Sequence, residues 1–208
     1  MSVKLTKVLL DENGYEVLIP PLDDEIYYKV EDGKTYMAYT AALDDADWEL
    51  LRPDNPNGLG VAMVNFHRDF YLDPKIVSKD DLAKWYGGHR IPQEKAYHIF
   101  PLTCFVHGSV YLILGCETPS WDPGGFDTSH VGAVLVPKAL TQLRSEAEVL
   151  AENCVQDWND YLNGDYVLYV VQVHDHKTGK DEIVESTIVH CSEAREMLKE
   201  FQGCAEAA

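Results

Sequence analysis

AYHIFPLTCFVHGSVYLILGCETPSWDPGGFDTSHVGAVLVP, residues 96–137, carries the strand and loop pattern around which the rest of the chain is arranged. Ala96–Phe105 and Val110–Leu114 are rich in β-branched and aromatic residues, and His107-Gly108-Ser109 stands between them as a turn. That pattern predicts a β-hairpin. The loop Gly115–Ser129 follows, punctuated by Gly and Pro and carrying Trp121 beside Asp122. Val131–Val136 is a short apolar strand that Pro137 ends. Beyond it, Leu140, Leu143, Ala147, Leu150, Ala151, Cys154, Trp158 and Tyr161 recur at spacings of three and four. This predicts one long helix over about Lys138–Leu162, with Asn163-Gly164 as its C-cap. At about 100° per residue, Glu146, Glu148, Glu152, Asp157 and Asp160 fall on the remaining arc.

On the N-terminal side, Lys4–Leu10 and Tyr15–Ile19 alternate around Asp11-Glu12-Asn13-Gly14, and Ile26–Val30 and Lys34–Thr40 around Glu31-Asp32-Gly33. Two successive hairpins are expected. A short helix capped by Asp44 and ending at Leu51 comes next, and then the strand Val61–Phe66. Ser78 caps a helix that stops at Gly87-Gly88. Tyr166–Val173 and Glu182–His190 form a last pair of strands around Lys177–Lys180, before a helix over Glu193–Gln202 capped by Ser192. The predicted fold is α+β, mainly antiparallel sheet, with one long helix packed across it and short additional helices. The whole chain, 1–208, reads as a single domain. It has a possible β-hairpin subdomain over 1–52 and a main α+β core over 58–203.

Thirty-five acids against 17 bases give a formal charge of −18 in 208 residues. Direct nucleic-acid binding is disfavoured, because counterion release requires Lys and Arg. An anionic membrane is disfavoured on the same ground. A basic protein is steered towards such a chain. Five cysteines without a CxxC spacing predict reduced thiols and a cytoplasmic setting. Neither a signal peptide nor a membrane span is expected.

Sequence offers few catalytic spacings. His67, His107 and His130 form a possible polar cluster around strand ends. His107, Asp122 and His130 are the set a metal-assisted hydrolase would use, but no recognised ligand spacing accompanies them, so no metal and no cofactor is assigned. His174 and His176 read as the solvated edge of a hairpin. Cys104 and Cys116 lie near His residues, yet residues 96–137 hold no Lys or Arg to lower a thiol pKa. From Ser145 to His176 there is again no Lys or Arg, while seven acids occur. The sign and spacing of that surface permit phosphate mimicry.

Three passages carry a resemblance: Gly60–Tyr71 (GVAMVNFHRDFY), the Trp121-Asp122 loop with Val131-Gly132, and Asp157–Tyr169 (DWNDYLNGDYVLY). Together they resemble a group of small phage and mobile-element proteins. In that group a strand ends in His-Arg, a Trp-Asp loop follows a His-containing turn, and a helix ends in Tyr-Leu-x-Gly-Asp. Here the turn and the loop differ, as His107-Gly108-Ser109 and Trp121-Asp122-Pro123. The group has no assigned activity, so the resemblance implies a mobile-element setting. The expected function is protein–protein binding that inhibits a host nucleic-acid-handling defence complex. Its partner surface is Glu146, Glu148, Glu152, Asp157 and Asp160, with Trp121 and Asp122. The alternatives are the hydrolase and a structural accessory or virion protein.

Overall fold

The computed structural model describes residues 9–10, 13–23, 25–68, 70–107 and 109–206. In chain order it contains β1 (Leu9–Leu10), β2 (Glu16–Val17), β3 (Tyr27–Glu31), β4 (Lys34–Ala41) and α1 (Asp45–Leu51). Next come β5 (Ala62–Phe66), β6 (Tyr71–Leu72), α2 (Lys79–Tyr86), a 3-10 turn at Pro92–Lys95, β7 (Tyr97–Val106) and β8 (Val110–Leu114). The last elements are β9 (Thr128–Pro137), α3 (Arg144–Asn163), β10 (Tyr166–Asp175), β11 (Lys180–His190) and α4 (Cys191–Glu206). The fold is α+β, and every paired strand runs antiparallel to its neighbour.

The chain divides into two compact units, 51–164 and a discontinuous one built from 1–50 and 165–208. Residues 165–203, expected with the central core, instead join the N-terminal hairpin, because β10 pairs with β4 along eight residues. Periodicity is a local signal and carries no information on which distant strand becomes the neighbour.

The discontinuous unit holds a sheet in the order β11-β10-β4-β3. Ala38, Val167, Tyr169, Val171 and Val189 bury one face with Ala194 and Leu198 of α4. Met37, Tyr39 and Val170 pack with Val17 on the other. Gln172, fully buried, ties that second layer to the sheet. Its Oε1 accepts from the Leu18 N–H and the Tyr39 hydroxyl, and its Nε2 donates to the Glu16 carbonyl. β1 pairs with β2 as expected, while Lys4–Val8, Asp11 and Glu12 of that hairpin lie outside the described residues. α4 starts at Cys191, not after a Ser192 cap, because the Ser192 hydroxyl is bonded to His190 Nδ1.

The continuous unit holds a sheet in the order β6-β5-β9-β7-β8. α3 lies across one face, burying Ala147, Ala151, Cys154, Val155 and Trp158 against Met63, Leu102, Leu112 and Val134. Leu82 of α2, Val77 and Ile91 cover part of the other, over Val64, Ile99 and Leu135. α2 has the Ser78 cap and the end at Tyr86 that the sequence predicts. α3 starts six residues later than predicted. The Lys138 N–H donates to the Ala96 carbonyl, prolonging the β7–β9 ladder, and Leu140 and Leu143 are left exposed in the turns that follow.

Asparagine side chains close both sides of this sheet. The Gly115 N–H donates to the Pro101 carbonyl, so in the alternating antiparallel ladder the Cys104–Leu112 pair is a non-hydrogen-bonded one. The Leu112 backbone therefore points away from β7, toward the open edge. Asn159, buried on α3, accepts from the Leu112 N–H at 2.7 Å and donates to the Leu112 carbonyl at 2.9 Å. Asn55 makes the same two bonds to Met63 of β5. A primary carboxamide thus replaces a neighbouring strand at each place, which blunts an edge that would otherwise pair with another chain. Asn159→Leu keeps the volume and strands two buried backbone groups. At about 1–3 kcal/mol for each, it should cost about 2–6 kcal/mol in a urea melt followed by circular dichroism. Hydrogen exchange at the Leu112 amide should accelerate in step.

Candidate functional site

The end of β5 is shaped by Asn65, whose Oδ1 accepts the His67 N–H at 2.8 Å. This bend carries His67 and Arg68 off the strand towards α2 and β9. The facing part of β9 is bulged: Leu102 pairs with Gly132 and Thr103 with His130, leaving Val131 as the extra residue. Val131 turns into the α3-side core while His130 and Thr103 share the opposite face. Bulges commonly re-aim a side chain in this way. Gly132 permits it, since a Cβ there would lie 1.7 Å from the Val64 carbonyl oxygen. A glycine inside an apolar strand is the available sequence signal for such a close approach.

Tyr86, the last residue of α2, locks the bulge. Its hydroxyl donates to the Gly132 carbonyl and accepts from the Leu102 N–H. Burial pushes the phenol up to about 12, against a smaller pull from the Leu102 N–H, with the Cys116 thiol adding to the rise. Tyr86 is therefore a neutral donor across the physiological range. Its ring lies 5.5 Å from that of His130. The Thr103 hydroxyl donates its only proton to the Gly115 carbonyl at 2.6 Å, so it accepts from His130 Nδ1–H at 3.2 Å. That assignment leaves His130 Nε2 as the free ring nitrogen. Phe66, His67, Arg68, Lys79, Tyr86 and His130 surround a cavity of about 460 Å³, with Leu82 and Ala83 adding apolar wall.

Of the expected histidine cluster, His67 and His130 meet at this cavity and His107 does not. His107 is four residues along β7 from Thr103, roughly 13 Å at strand rise. It is exposed, with Nδ1 3.1 Å from Asp127 Oδ2. Among the described residues, the ligand atoms of His107, Asp122 and His130 do not gather within reach of one ion. Asp122 has a different task. Its carboxylate accepts from the Phe126 and Asp127 N–H groups and from the Thr128 hydroxyl at 2.6 Å. The side chain folds its own loop and is buried, so it offers no surface to a partner. Trp121 beside it is 62% exposed and stands edge-on to Phe105 and Tyr111, with Phe126 fully in solvent at 91%.

Tyr111 alternates with Leu112, whose side chain is on the α3 side, so Trp121 and the acids of α3 lie on opposite faces of the sheet. Glu146, Glu148, Glu152 and Asp157 are exposed, and Asp160 is half-buried and bonded to Gln156. Among the described residues none of the four exposed acids has an ion-pair partner. At 3.6 residues per turn, Glu146 and Asp157 lie about 20° apart and Glu148 and Glu152 about 40° apart, the two groups roughly 120–180° from one another. The acids therefore form two rails, with Val149, Asn153 and Gln156 between them. Burial raises the Asp157 carboxyl, and the Asp160 carboxylate adds to the rise.

Burial pushes the thiols of Cys104 and Cys154 up to about 11 and about 12, Asp157 adding to the second. Neither is a nucleophile at neutral pH. In the discontinuous unit His174 Nδ1 is 3.1 Å from Asp181 Oδ1, and His176 Nε2 is 2.9 Å from Thr35 Oγ1. His174 is thus engaged within the β10–β11 hairpin and His176 by β4. Lys79, Tyr86, Thr103 and Gly132 were not among the site residues expected from sequence, since three separate segments converge to make this cavity. No family model matches the chain, and no curated protein and no solved structure is significantly similar to it. No described helix is long and apolar enough to cross a membrane.

The bonds that fold the Trp121 loop hold the Asp122 carboxyl below its ordinary value, the Thr128 hydroxyl first among them. A depressed carboxyl stabilises the fold while ionised, and that contribution disappears as pH falls from about 4 through the lower folded value. Acidification should therefore open this loop, raising iodide quenching of Trp121. In Asp122→Asn the loop should be open already at neutral pH, with no further transition below about 4.

Proposed function

We propose that this protein works by non-covalent binding to a basic protein surface, using the outer face of α3. The carrying observation is that Glu146, Glu148, Glu152 and Asp157 stand exposed on one helix with no described cationic partner. Carboxylates left unpaired keep their full field for a partner, and a net charge of −18 speeds the approach of a basic one. The two rails suit a groove that contacts both flanks of a rod, as a nucleic-acid channel contacts two backbones. Arg144 is kept out of the way, its guanidinium 4.5 Å over the Phe100 ring and bonded to the Ile99 carbonyl.

With the phage and mobile-element resemblance, this makes the protein an inhibitor of a host nucleic-acid-handling defence complex, acting in the host cytoplasm as a mimic of a phosphate backbone. A restriction or CRISPR effector is the kind of target that has such a channel. Trp121 and its loop, on the opposite face, play no part in this contact, and the Asp122 carboxylate is already consumed.

The test is a plaque assay on hosts carrying such systems, with and without the protein. The wild type should restore infection against at least one of them. Glu146→Lys/Glu152→Lys/Asp157→Lys, checked for an unchanged thermal melt, should lose that protection by tenfold or more, and its partner affinity should lose most of its salt dependence. Full protection by the triple variant would remove α3 from the mechanism.

A further inference from the structure

We propose that the open indole face of Trp121 is a docking platform for an arginine side chain of a partner protein, separate from the α3 contact. Phe105 and Tyr111 stand opposite one another across the β7–β8 ladder. They lie on the side of the sheet away from α3, because Cys104 and Leu112 beside them belong to the core under α3. The Trp121 ring lies 6.3 Å from each, at 86° to Phe105 and 76° to Tyr111. Neither ring is parallel to the indole, so neither is stacked on it, and Trp121 is left 62% exposed. The position is rigid. The Asp122 carboxylate gathers the Phe126 and Asp127 N–H groups and the Thr128 hydroxyl, and the Gly125 N–H donates to the Asp122 carbonyl at 2.9 Å. A platform fixed before its partner arrives loses little freedom on binding.

Charge selects the occupant. The loop over residues 115–129 carries Glu117, Asp122 and Asp127 and no Lys or Arg. Asp127 is tied to the aromatic group, since its Oδ2 is 3.1 Å from Nδ1 of His107, whose ring stacks on Phe105 at 6.3 Å. Among the described residues no cation stands over the Trp121 ring. An indole face attracts cations through its quadrupole, and the loop carboxylates add to that field. A nucleobase could stack on the same face, but its phosphates would meet those carboxylates. A neutral sugar needs polar side chains placed beside the ring, and here the Thr128 hydroxyl and the Asp122 carboxylate are spent on one another. Among cations, a guanidinium is flat, weakly hydrated and able to lie parallel on an aromatic face, whereas an ammonium is compact and strongly hydrated. A protein that presents an arginine on an extended, basic segment therefore matches both the shape and the sign of this surface.

The experiment uses the full chain at physiological salt, titrated with the blocked pentapeptide Gly-Arg-Gly-Arg-Gly and with its lysine and citrulline counterparts. Binding is followed by the Trp121 indole N–H and by backbone amide shifts. The arginine peptide should saturate and move the Trp121 indole together with the Phe126 and Asp127 amides. Citrulline keeps the shape and removes the charge, and should bind about fivefold more weakly or worse. Lysine keeps the charge and loses the plane, and should bind about threefold more weakly. Trp121→Ala, with an unchanged melt, should weaken the arginine peptide by about fivefold, and Trp121→Phe should fall between it and the wild type. If the alanine variant is unstable, the phenylalanine variant and the three peptides on the wild type decide the matter. Glu146→Lys/Glu152→Lys/Asp157→Lys should leave the affinity reported at Trp121 within about twofold, so this contact and the α3 contact fail separately. The proposal is overturned if the arginine peptide moves only α3 amides, if citrulline or lysine binds as well as arginine, or if both Trp121 variants bind like the wild type.

Discussion

A carboxamide standing in for a peptide group governs the continuous unit. Asn159 has to reach both backbone groups of Leu112 at once, which fixes the height of α3 on the sheet and its rotation about its own axis. Hydrophobic contact alone is non-directional and would tolerate sliding. The paired hydrogen bonds do not, since a shift of one residue would bury an amide and two strand groups without partners. With rotation fixed, Ala147, Ala151 and Trp158 face the sheet and the acids are forced outward. The negative face of the helix is thus a consequence of how its buried side is anchored.

The opposite face of the same sheet obeys a different constraint. Gly132 sits so close to β5 that no side chain is possible, and the bulge beside it reverses the alternation of β9. That reversal divides the strand into an apolar half, Ala133–Val136, which belongs to the core, and a polar half, Thr128–His130, which faces solvent and the cavity. Tyr86 closes the gap between the two with bonds to the backbone of two strands. One sheet thereby presents carboxylates on one side and this cavity on the other.

Much of this was legible in advance because it is local. Ser78 before two acids, Asp44 before Trp48, the Gly33 turn and the Lys177–Gly179 turn each announce an element through neighbours within four residues. What escaped is non-local. Nothing near Tyr166 says that β10 will align with β4. Lys138–Leu143 continues the helical period, yet its backbone is drawn off by Ala96 and by tight turns. Asn159 could have been noticed as a polar residue bordering the apolar arc, and Gly132 as a glycine among valines. His67, Lys79 and His130 belong to three elements, and only the tertiary fold makes them neighbours. Asp122 was misread as a surface residue because adjacency to Trp121 gives no hint that its carboxylate would be satisfied from Phe126, Asp127 and Thr128.

The pairing of β4 with β10 has a consequence for biosynthesis. β4 leaves the ribosome more than a hundred residues before its partner strand, while residues 51–164 are contiguous and hold all the strands of their own sheet. During translation the central segment can therefore complete itself while the strands on the N-terminal side still wait, an unpaired β4 edge exposed on the nascent chain. That interval is when this protein is most open to chaperones and to mispairing with a second nascent copy.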